Sequence, residues 1–428
     1  MSKQRTKQLL ENQWDPITLG TVVKPVNVNE YEPLENGLSR YVAGDHIDSD
    51  EIFVKKFGDI ERDKDVIGSA FHKKFSEGQL LFGTRRTYLR KAGLATFEGI
   101  CANTTLVLDV KGTKFQKELL PFIFHWDKFI EYAVEKSVGS TNPYVRWRDL
   151  ANFKFHLPAK PIQFKIAKIL WSIEKSIESS YELSQKIQNY KNSMLKEIFT
   201  HGIGGTIAEE KHLIGNVFAE IPQSWKFKPL EKLSEGGTQN GIAISKNDYG
   251  DGVPIVGMTD LFANDILKPS NLKKVIISKK EEGKFALKSH DLIFARRSLN
   301  IEGSGKCVYV PKIKNTIVFE SSIIRMTINK NKINPKFIFY FLQSELGKKL
   351  MKRITQIVAV SGIKSSDLSK FPIVYPENPK TQENVLEVFE KIDNYNNETI
   401  EQIKKLYELR RILMNSLLSK KIVLQGGK

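Results

Sequence analysis

The chain has 428 residues, 40% of them hydrophobic, which is enough for two or three domains that each bury a core. Its formal charge of +17 is too large to be ignored and predicts an anionic partner, nucleic acid more often than a membrane face. Apolar stretches of signal-peptide or membrane-span length are absent, and the lone Cys101 and Cys307 argue against a disulfide framework or CxxC zinc site. We therefore expect a cytoplasmic protein of a bacterium or archaeon, with both cysteines as small buried hydrophobes.

The first half begins with short apolar runs that glycine, asparagine, aspartate and proline interrupt. Runs such as residues 80–82 and 105–108 are typical of strands. A short helix is predicted around residues 121–135, and the prolines of residues 157–161 suit a domain edge before a further helix. That helix is predicted to be long, with a periodic apolar stripe. The stripe consists of Ile166, Ile169, Ile173, Ile177, Ile187, Tyr190, Met194 and Ile198.

The second half follows the same plan. Strands are predicted at residues 274–277 and 323–326, and a short helix around residues 335–352. A proline-bounded border at residues 375–379 precedes a second long helix, whose stripe has a polar break at Asn396. Its apolar positions are Val385, Phe389, Ile392, Ile400, Ile403, Leu406, Leu413 and Leu417.

The second half also repeats local sequences of the first. The matching pairs are 14–19 with 225–230, 41–45 weakly with 254–258, 79–86 with 291–297, 122–124 with 337–339, 149–153 with 367–371, and 161–163 with 380–382. The order is kept, and the spacing grows only from 211 residues between Trp14 and Trp225 to 219 between Gln163 and Gln382. This pattern predicts a duplicated fold.

The two apolar stripes predict that the long helices pair with each other. Lysine and glutamate occupy the other faces, a pattern typical of a coiled-coil seam. A helix of about 38 residues extends about 57 Å at ~1.5 Å per residue, longer than a typical domain. The alternative is two ordinary core helices in separate domains. We predict an α+β protein in which two globular α/β-mixed domains are separated by a pair of long antiparallel coiled-coil helices, with a pseudo-two-fold axis inside one chain. Such a pair could space two DNA readers by about 16 base pairs on one duplex.

This plan resembles the specificity subunit of type I restriction–modification systems over nearly the whole chain. The most specific segments are residues 139–158, 198–204, 220–225 (Glu-Ile-Pro-Gln-Ser-Trp) and 417–422. Two departures affect the placement of boundaries: the first half lacks a clear Glu-Ile-Pro before Trp14, and the border at residues 361–372 is shorter than its counterpart.

The resemblance implies a division of the chain into four parts. These are a target-recognition domain at residues 1–158, a central helix and spacer at 159–208, a second target-recognition domain at 209–376, and a distal helix at 377–428. Each domain would read a short half-site in the major groove of double-stranded DNA. The helices would set the unread spacer and dock two modification subunits.

The resemblance further implies that the chain does no chemistry and holds no cofactor. S-adenosylmethionine, ATP and magnesium would be bound by partner subunits. The modification subunits would methylate adenine, and restriction subunits would add translocation and cleavage to the full complex.

Candidate DNA contacts come from residue chemistry at the repeated strand ends and loops. Arginine pairs well with guanine, asparagine and glutamine pair with adenine, and lysine and arginine neutralise phosphates. For each group the alternative is a solvated cluster, a structural ion pair or a plain turn. The candidates are Arg85, Arg86, Tyr88, Arg90, Ser140, Thr141, Asn142, Lys273, Lys274, Arg296, Arg297, Asn300 and Lys364.

Motifs for catalysis or metal binding are incomplete. Residues 142–144 (Asn-Pro-Tyr) lack one proline of an adenine methyltransferase loop, so we interpret them as a turn. Residues 303–306 (Gly-Ser-Gly-Lys) lack the earlier glycine and the Ser/Thr of a phosphate loop, so we interpret them as a loop between strands. The seven histidines form no HxxxH pair, and no Gly-x-Ser-x-Gly elbow occurs. Two alternatives stay open: a stand-alone two-headed DNA-binding protein without enzymatic partners, and an enzyme whose site is assembled from distant residues.

Overall fold

A computed structural model describes residues 14–65, 67–204, 211–298, 303–356 and 361–421. The chain divides into two units. Unit 1 comprises Met1–Glu182 and Ile400–Lys428, and unit 2 comprises Leu183–Thr399. Both contain small sheets together with helices, so the predicted α+β class is confirmed.

Unit 1 contains eleven described strands, and four described α-helices begin in it. The strands are β1 (Trp14–Thr18), β2 (Val23–Pro25), β3 (Arg40–Val42), β4 (Phe53–Val54), β5 (Gly58–Asp59), β6 (Phe71–Phe75), β7 (Leu80–Gly83), β8 (Ala92–Ala95), β9 (Gly99–Ala102), β10 (Thr105–Val110) and β11 (Lys154–Pro158). The helices are α1 (Leu120–His125), α2 (Asp127–Glu135), α3 (Trp147–Leu150) and α4 (Lys160–His201). The strands form sheets in the orders β2-β10-β7-β8-β4, β5-β3-β9-β6 and β1-β11.

Unit 2 contains the remaining described elements. Its strands are β12 (His212–Ile214), β13 (Val217–Ala219), β14 (Trp225–Pro229), β15 (Ser234–Asn240), β16 (Tyr249–Val256), β17 (Lys273–Val275), β18 (Leu292–Ala295), β19 (Arg297–Ser298), β20 (Cys307–Tyr309), β21 (Val318–Phe319), β22 (Ile323–Ile328), β23 (Ser361–Gly362) and β24 (Pro372–Pro376). The helices that begin in it are α5 (Leu230–Leu233), α6 (Met258–Ala263), α7 (Lys279–Phe285), α8 (Pro335–Gln343), α9 (Glu345–Ile354), α10 (Ser365–Ser369) and α11 (Pro379–Leu418). The sheets have the orders β15-β22-β18-β20, β17-β16-β21, β14-β24, β12-β13 and β19-β23.

The strand pairings of the two units correspond. The antiparallel order β10-β7-β8 of unit 1 matches β22-β18-β20 of unit 2, and the parallel pair β3-β9 matches β16-β21. The first strand of each repeat pairs with the strand before a long helix, placing Trp14 opposite Pro158 and Trp225 opposite Pro376. The sequence repeat is therefore a repeat of topology.

Each short helix that we predicted as one element is two. The segment around residues 121–135 forms α1 and α2, and the segment around residues 335–352 forms α8 and α9. The breaks lie at Trp126 and Ser344, whose backbones are extended. The Ser344 hydroxyl accepts a hydrogen bond from the Gly347 amide at 3.1 Å, which starts the next helix by capping it. Apolar periodicity continues across both breaks, so it could not reveal them.

The long helices α4 and α11 run for 42 and 40 residues, and in each unit they pack against each other. In unit 1, Ile166 of α4 and Leu417 of α11 lie in the same buried cluster. In unit 2, Phe199 of α4 and Phe389 of α11 do the same, with their rings stacked. The predicted seam between these helices is confirmed within each unit.

The predicted stripes were wrong at two positions. Tyr190 is 57% exposed and Ile400 is 38% exposed. Charged side chains are buried in the seam instead. Glu174 meets Arg410 at 2.5 Å in unit 1, with each side chain about 5% exposed.

A matching pair in unit 2 joins Lys191 to Asp393 at 2.6 Å. In unit 1, burial raises the pKa of Glu174, although the Arg410 guanidinium opposes that shift. A stripe defined by apolar residues alone misses such positions. A charged residue is buried only when a partner of opposite charge faces it, and that partner lies on the other helix.

A buried glutamine near the start of each long helix links that helix to its domain by hydrogen bonds to the backbone. The Gln163 side chain donates to the Pro158 carbonyl at 2.8 Å and accepts from the Gln116 amide at 2.7 Å. Gln382 makes the corresponding bonds at the start of α11, at 2.9 and 3.0 Å. The sequence match between residues 161–163 and 380–382 therefore marks the place where each long helix is hydrogen-bonded to its domain.

Replacing Gln163 with alanine is expected to lower the free energy of unfolding of unit 1 by about 1–3 kcal/mol, because buried backbone groups lose their partners. Tryptophan fluorescence during urea unfolding measures this, since Trp14, Trp126, Trp147 and Trp171 lie in unit 1 and only Trp225 lies in unit 2. Ser179→Ala, at an exposed position of the same helix within unit 1, serves as the control. If the two substitutions lowered stability equally, the hydrogen bonds of Gln163 would not be what stabilises unit 1.

Candidate nucleic-acid interface

In unit 1 the segment after β7 lies against the loop before α3. Arg85 forms a β-bridge with Tyr144, and the Arg86 amide donates to the Pro143 carbonyl at 2.7 Å. The Val145 amide closes the contact by donating to the Thr84 carbonyl at 3.0 Å. Two groups of predicted DNA contacts, distant in sequence, thus meet on one face.

This face, which we call strand-end surface 1, consists of residues 85–88 and 140–142. Its predicted contact residues are all exposed: Arg85, Arg86, Tyr88, Ser140, Thr141 and Asn142. Tyr88 presents 54% of its surface to solvent. A planar ring and two guanidinium groups therefore stand free beside a loop of small polar residues.

Unit 2 repeats the arrangement. Arg297 of β19 pairs with Gly362 of β23, and the Ile363 amide donates to the Arg296 carbonyl at 3.0 Å. These bonds correspond to those of unit 1, so Arg297 is the counterpart of Arg85 and Arg296 is the counterpart of Thr84. We call the face formed by residues 296–297 and 362–364 strand-end surface 2.

The side chains of strand-end surface 2 differ in exposure. Arg297 and Lys364 are exposed, whereas Arg296 is half-buried and its guanidinium donates to the Ser321 carbonyl at 3.4 Å. Asn300, also predicted to contact DNA, lies outside the described residues. Arg297 and Lys364 are therefore the cations that this face offers to a ligand.

Lys273 and Lys274 lie on a different sheet, in the edge strand β17. Both are exposed. The Lys273 ammonium lies 5.6 Å from the centre of the Tyr249 ring, and the Lys274 ammonium lies 4.0 Å from the Asp251 carboxylate. An exposed edge strand bearing cations suits phosphate contact more than the reading of bases.

Arg90 occupies a structural position. Its guanidinium contacts Asp50 at 2.6 Å and Asp127 at 2.8 Å, and the side chain is 16% exposed. Burial opposes the ionisation of Asp50, but His125 and Arg90 outweigh it and lower the pKa of Asp50 to about 2. These contacts match the ion-pair alternative, and DNA contact by Arg90 stays a prediction.

Two exposed residues beside strand-end surface 1, Tyr144 and Arg146, were missed in the sequence. Arg146 is exposed, and its guanidinium donates to the Tyr144 hydroxyl at 3.0 Å while lying 5.6 Å from the centre of that ring. The signal was the alternation of Tyr144, Val145 and Arg146, in which only the valine is apolar and buried. Such a pattern places the flanking side chains on the solvent face of an extended segment.

The chemistry available on these faces is recognition by hydrogen bonds and charge. Among the described residues, no cluster of three or more His, Cys, Asp or Glu could hold a metal ion. Both cysteines are free, and burial raises the pKa of Cys101 to about 12, so its thiol stays protonated at neutral pH. Over the described ranges, no helix is long and apolar enough to cross a membrane.

A family model described as the type I restriction modification DNA specificity domain matches residues 59–189 and 222–408. The chain belongs to this family. The two matched stretches fall one in each repeat. The family membership agrees with the resemblance drawn from residues 139–158 and 220–225.

Two specificity subunits of Methanocaldococcus jannaschii are relatives of the chain. The type I restriction enzyme MjaVIII specificity subunit is 25% identical over 338 residues, covering 76% of this chain and 75% of the relative. The putative type I restriction enzyme MjaX specificity subunit is 23% identical over 314 residues, covering 70% and 66%.

Solved structures of the same type share the fold. A chain from a structural study of complex assembly and conformational transition of the type I R-M system has a TM-score of 0.53 at 16% identity, over 96% of this chain and 99% of that one. The type I restriction-modification S subunit from M. genitalium has a TM-score of 0.50 at 11% identity, over 95% and 96%. At these identities the likeness concerns the fold alone.

Proposed function

We propose that this chain is the DNA-recognition subunit of a type I restriction–modification complex and reads a bipartite target, one half-site with each strand-end surface. One observation carries the proposal: both units join a strand-end arginine to a polar loop through the same backbone hydrogen bonds, Arg85 with Tyr144 and Arg297 with Gly362. A duplicated surface of this kind suits a target written as two separated halves.

The charges support DNA as the ligand of these surfaces. The chain carries 66 lysines and arginines against 49 aspartates and glutamates, and its strand-end surfaces present exposed guanidinium groups. Guanidinium groups bind guanine O6 and N7 as a fork, while neighbouring cations bind phosphates. We assign base reading to Arg85 and Arg297, and phosphate contact to Lys273, Lys274 and Lys364.

We assign the outward faces of α4 and α11 to the docking of two modification subunits. Exposed large apolar side chains on these helices include Phe164, Tyr190, Tyr395 and Ile412. Apolar and aromatic groups of this kind on a helix face suit burial against a partner. In this proposal the chain itself is not catalytic, and S-adenosylmethionine, ATP and magnesium act on the partner subunits.

Mixing the purified chain with its modification subunit tests the assignment. We expect a stable complex of two modification subunits with one chain, measured by size-exclusion chromatography with light scattering. Tight sequence-specific binding of DNA by the chain alone, with no complex formed, would favour a stand-alone DNA-binding protein and contradict the proposal.

Arg86 permits a test that separates folding from binding. It is exposed and has a left-handed backbone, with φ of 49°, a conformation that glycine adopts more easily. Arg86→Gly is therefore expected to leave stability unchanged or raise it by up to about 1 kcal/mol. Because a guanidinium is lost, affinity of the complex for its DNA target should fall, with a shallower salt dependence.

Equilibrium binding at several salt concentrations and urea unfolding together measure this prediction. Asn216→Gly is the matched control, since Asn216 also has a left-handed backbone, with φ of 64°, but lies in the turn between β12 and β13. Unchanged DNA affinity of Arg86→Gly would remove Arg86 from the proposed surface.

A further inference from the structure

The second residue before β8 in unit 1 and the second residue before β20 in unit 2 occupy equivalent positions but differ in size. Phe82 pairs with Ala92 across β7 and β8, and Phe294 pairs with Cys307 across β18 and β20. Counting back two residues from each second partner gives Arg90 and Gly305. Both have left-handed backbones, with φ of 55° and 76°.

In unit 1 the Arg90 side chain fills the space beside this position. Its guanidinium contacts Asp50, Asp127 and the carbonyl of His125, which is the residue before the break between α1 and α2. The Arg90 guanidinium is thus paired with two carboxylates of the same chain.

In unit 2 the equivalent residue is Gly305, which lines a cavity of about 450 Å³. Its walls include the apolar side chains of Leu195, Leu342 and Met351. A Cβ at Gly305 would clash with the Met351 sulfur, so this methionine occupies the space in which a larger side chain would begin. A volume of this size falls within the range of about 300–1,000 Å³ that is typical of small-molecule sites.

Two polar atoms in the cavity wall have no partner. The Oγ of Ser304, a residue that is only 4% exposed, and the Nε2 of Gln343 are buried and make no hydrogen bond in the described structure. Gln343 and His125 hold similar places in the fold, since each is the last residue of the first of two short helices. Leaving a buried donor unpaired is costly, so an acceptor on a bound molecule would be stabilised at this place.

The charges at the mouth are the reverse of those in unit 1. Lys306, Lys348 and Lys352 line the cavity. Lys306 pairs with Asp265 at 3.3 Å, whereas Lys348 and Lys352 are exposed and form no ion pair within the described ranges. The cavity lining thus holds three ammonium groups and the single carboxylate of Asp265, whereas unit 1 places two carboxylates around its own guanidinium.

We propose that this cavity of unit 2 binds a small anion of about nucleotide size. The anionic group would contact Lys348 and Lys352, and the less polar body would lie against Leu342 and Met351. An acceptor on that body would take hydrogen bonds from Gln343 and Ser304. The Gly-Ser-Gly-Lys turn at residues 303–306 thus borders an anion site without being a phosphate loop of the usual spacing. The proposal is independent of DNA recognition by the strand-end surfaces.

Titration calorimetry of the full chain with adenosine monophosphate, adenosine and inorganic phosphate tests the proposal. We expect one site per chain for adenosine monophosphate, with a Kd on the order of 0.1 mM. Adenosine and phosphate alone should each bind at least about tenfold more weakly. Adenosine lacks the group that contacts the lysines, and phosphate lacks the body that contacts the apolar wall.

The variant Lys348→Glu/Lys352→Glu is expected to weaken binding of adenosine monophosphate by about tenfold or more. The control Lys349→Glu/Arg353→Glu makes the same change in charge one residue further along α9, at exposed positions outside the cavity lining. Its affinity should stay within about twofold of the parent chain. Thermal melting confirms that both variants fold.

Three results would each overturn the proposal. The first is no saturable heat with adenosine monophosphate, and the second is equal weakening in the two double variants, which would indicate diffuse attraction. The third is loss of duplex DNA affinity in Lys348→Glu/Lys352→Glu without any binding of adenosine monophosphate, which would assign these lysines to phosphates of DNA.

Discussion

Replacing Arg85 with alanine is expected to reduce the specificity of the complex for one DNA half-site. Replacing Arg297 with alanine is expected to reduce its specificity for the other half-site. Each arginine is exposed at the end of an equivalent strand and is backed by a polar loop. Loss of a bidentate contact with guanine costs about 1–3 kcal/mol, so affinity for the intact target should fall by about 10–100-fold. Discrimination at the other half-site should remain as it was.

The measurement uses the chain assembled with its modification subunits and a set of duplexes that vary one half-site at a time. Arg62→Ala is the control, because Arg62 is 73% exposed, pairs with Asp63 and belongs to neither surface. Its effect on affinity should be small and the same for every duplex. If Arg85→Ala and Arg297→Ala weakened all duplexes equally, both residues would be phosphate contacts and the assignment of base reading to them would fail.

Removing Glu174 is expected to have the largest effect on stability. Its carboxylate and the Arg410 guanidinium are each about 5% exposed and lie 2.5 Å apart in the seam of unit 1. Glu174→Ala leaves the Arg410 charge buried without its partner, which costs about 3–5 kcal/mol. The double variant Glu174→Met/Arg410→Met should recover most of that loss, since well-packed apolar residues can replace a buried ion pair.

Urea unfolding followed by tryptophan fluorescence measures both variants. The control is Glu178→Ala, one helical turn further along α4, which breaks an exposed ion pair with Lys55 and should cost less than about 1 kcal/mol. Equal destabilisation by Glu174→Ala and Glu178→Ala would show that the seam does not bury its charges.

Much of the fold could be predicted from the sequence because the chain contains the same plan twice. The echo of Trp14 in Trp225 predicted equivalent elements, and each forms the first strand of its repeat. The long helices were predicted from apolar periodicity, which follows directly from the geometry of a helix with one buried face. The buried ion pairs between these helices were not predicted, because a charged residue on a helix is exposed unless a partner distant in sequence faces it.

The candidate site was only partly accessible from the sequence. Arg85 and Arg90 are five residues apart in a polar stretch, yet Arg85 is exposed and Arg90 is held by Asp50 and Asp127. Both acids are distant in sequence, so residue type alone could not separate the two roles. The meeting of residues 85–86 with residues 143–144 depends in the same way on tertiary pairing.

Methylome sequencing of a host with and without the gene for this chain tests the central claim most directly. If the chain reads DNA through two equivalent surfaces, one methyladenine motif made of two specified halves around a fixed unread spacer disappears when the gene is deleted. A methylome that does not change, or the loss of a single uninterrupted motif, would contradict the account.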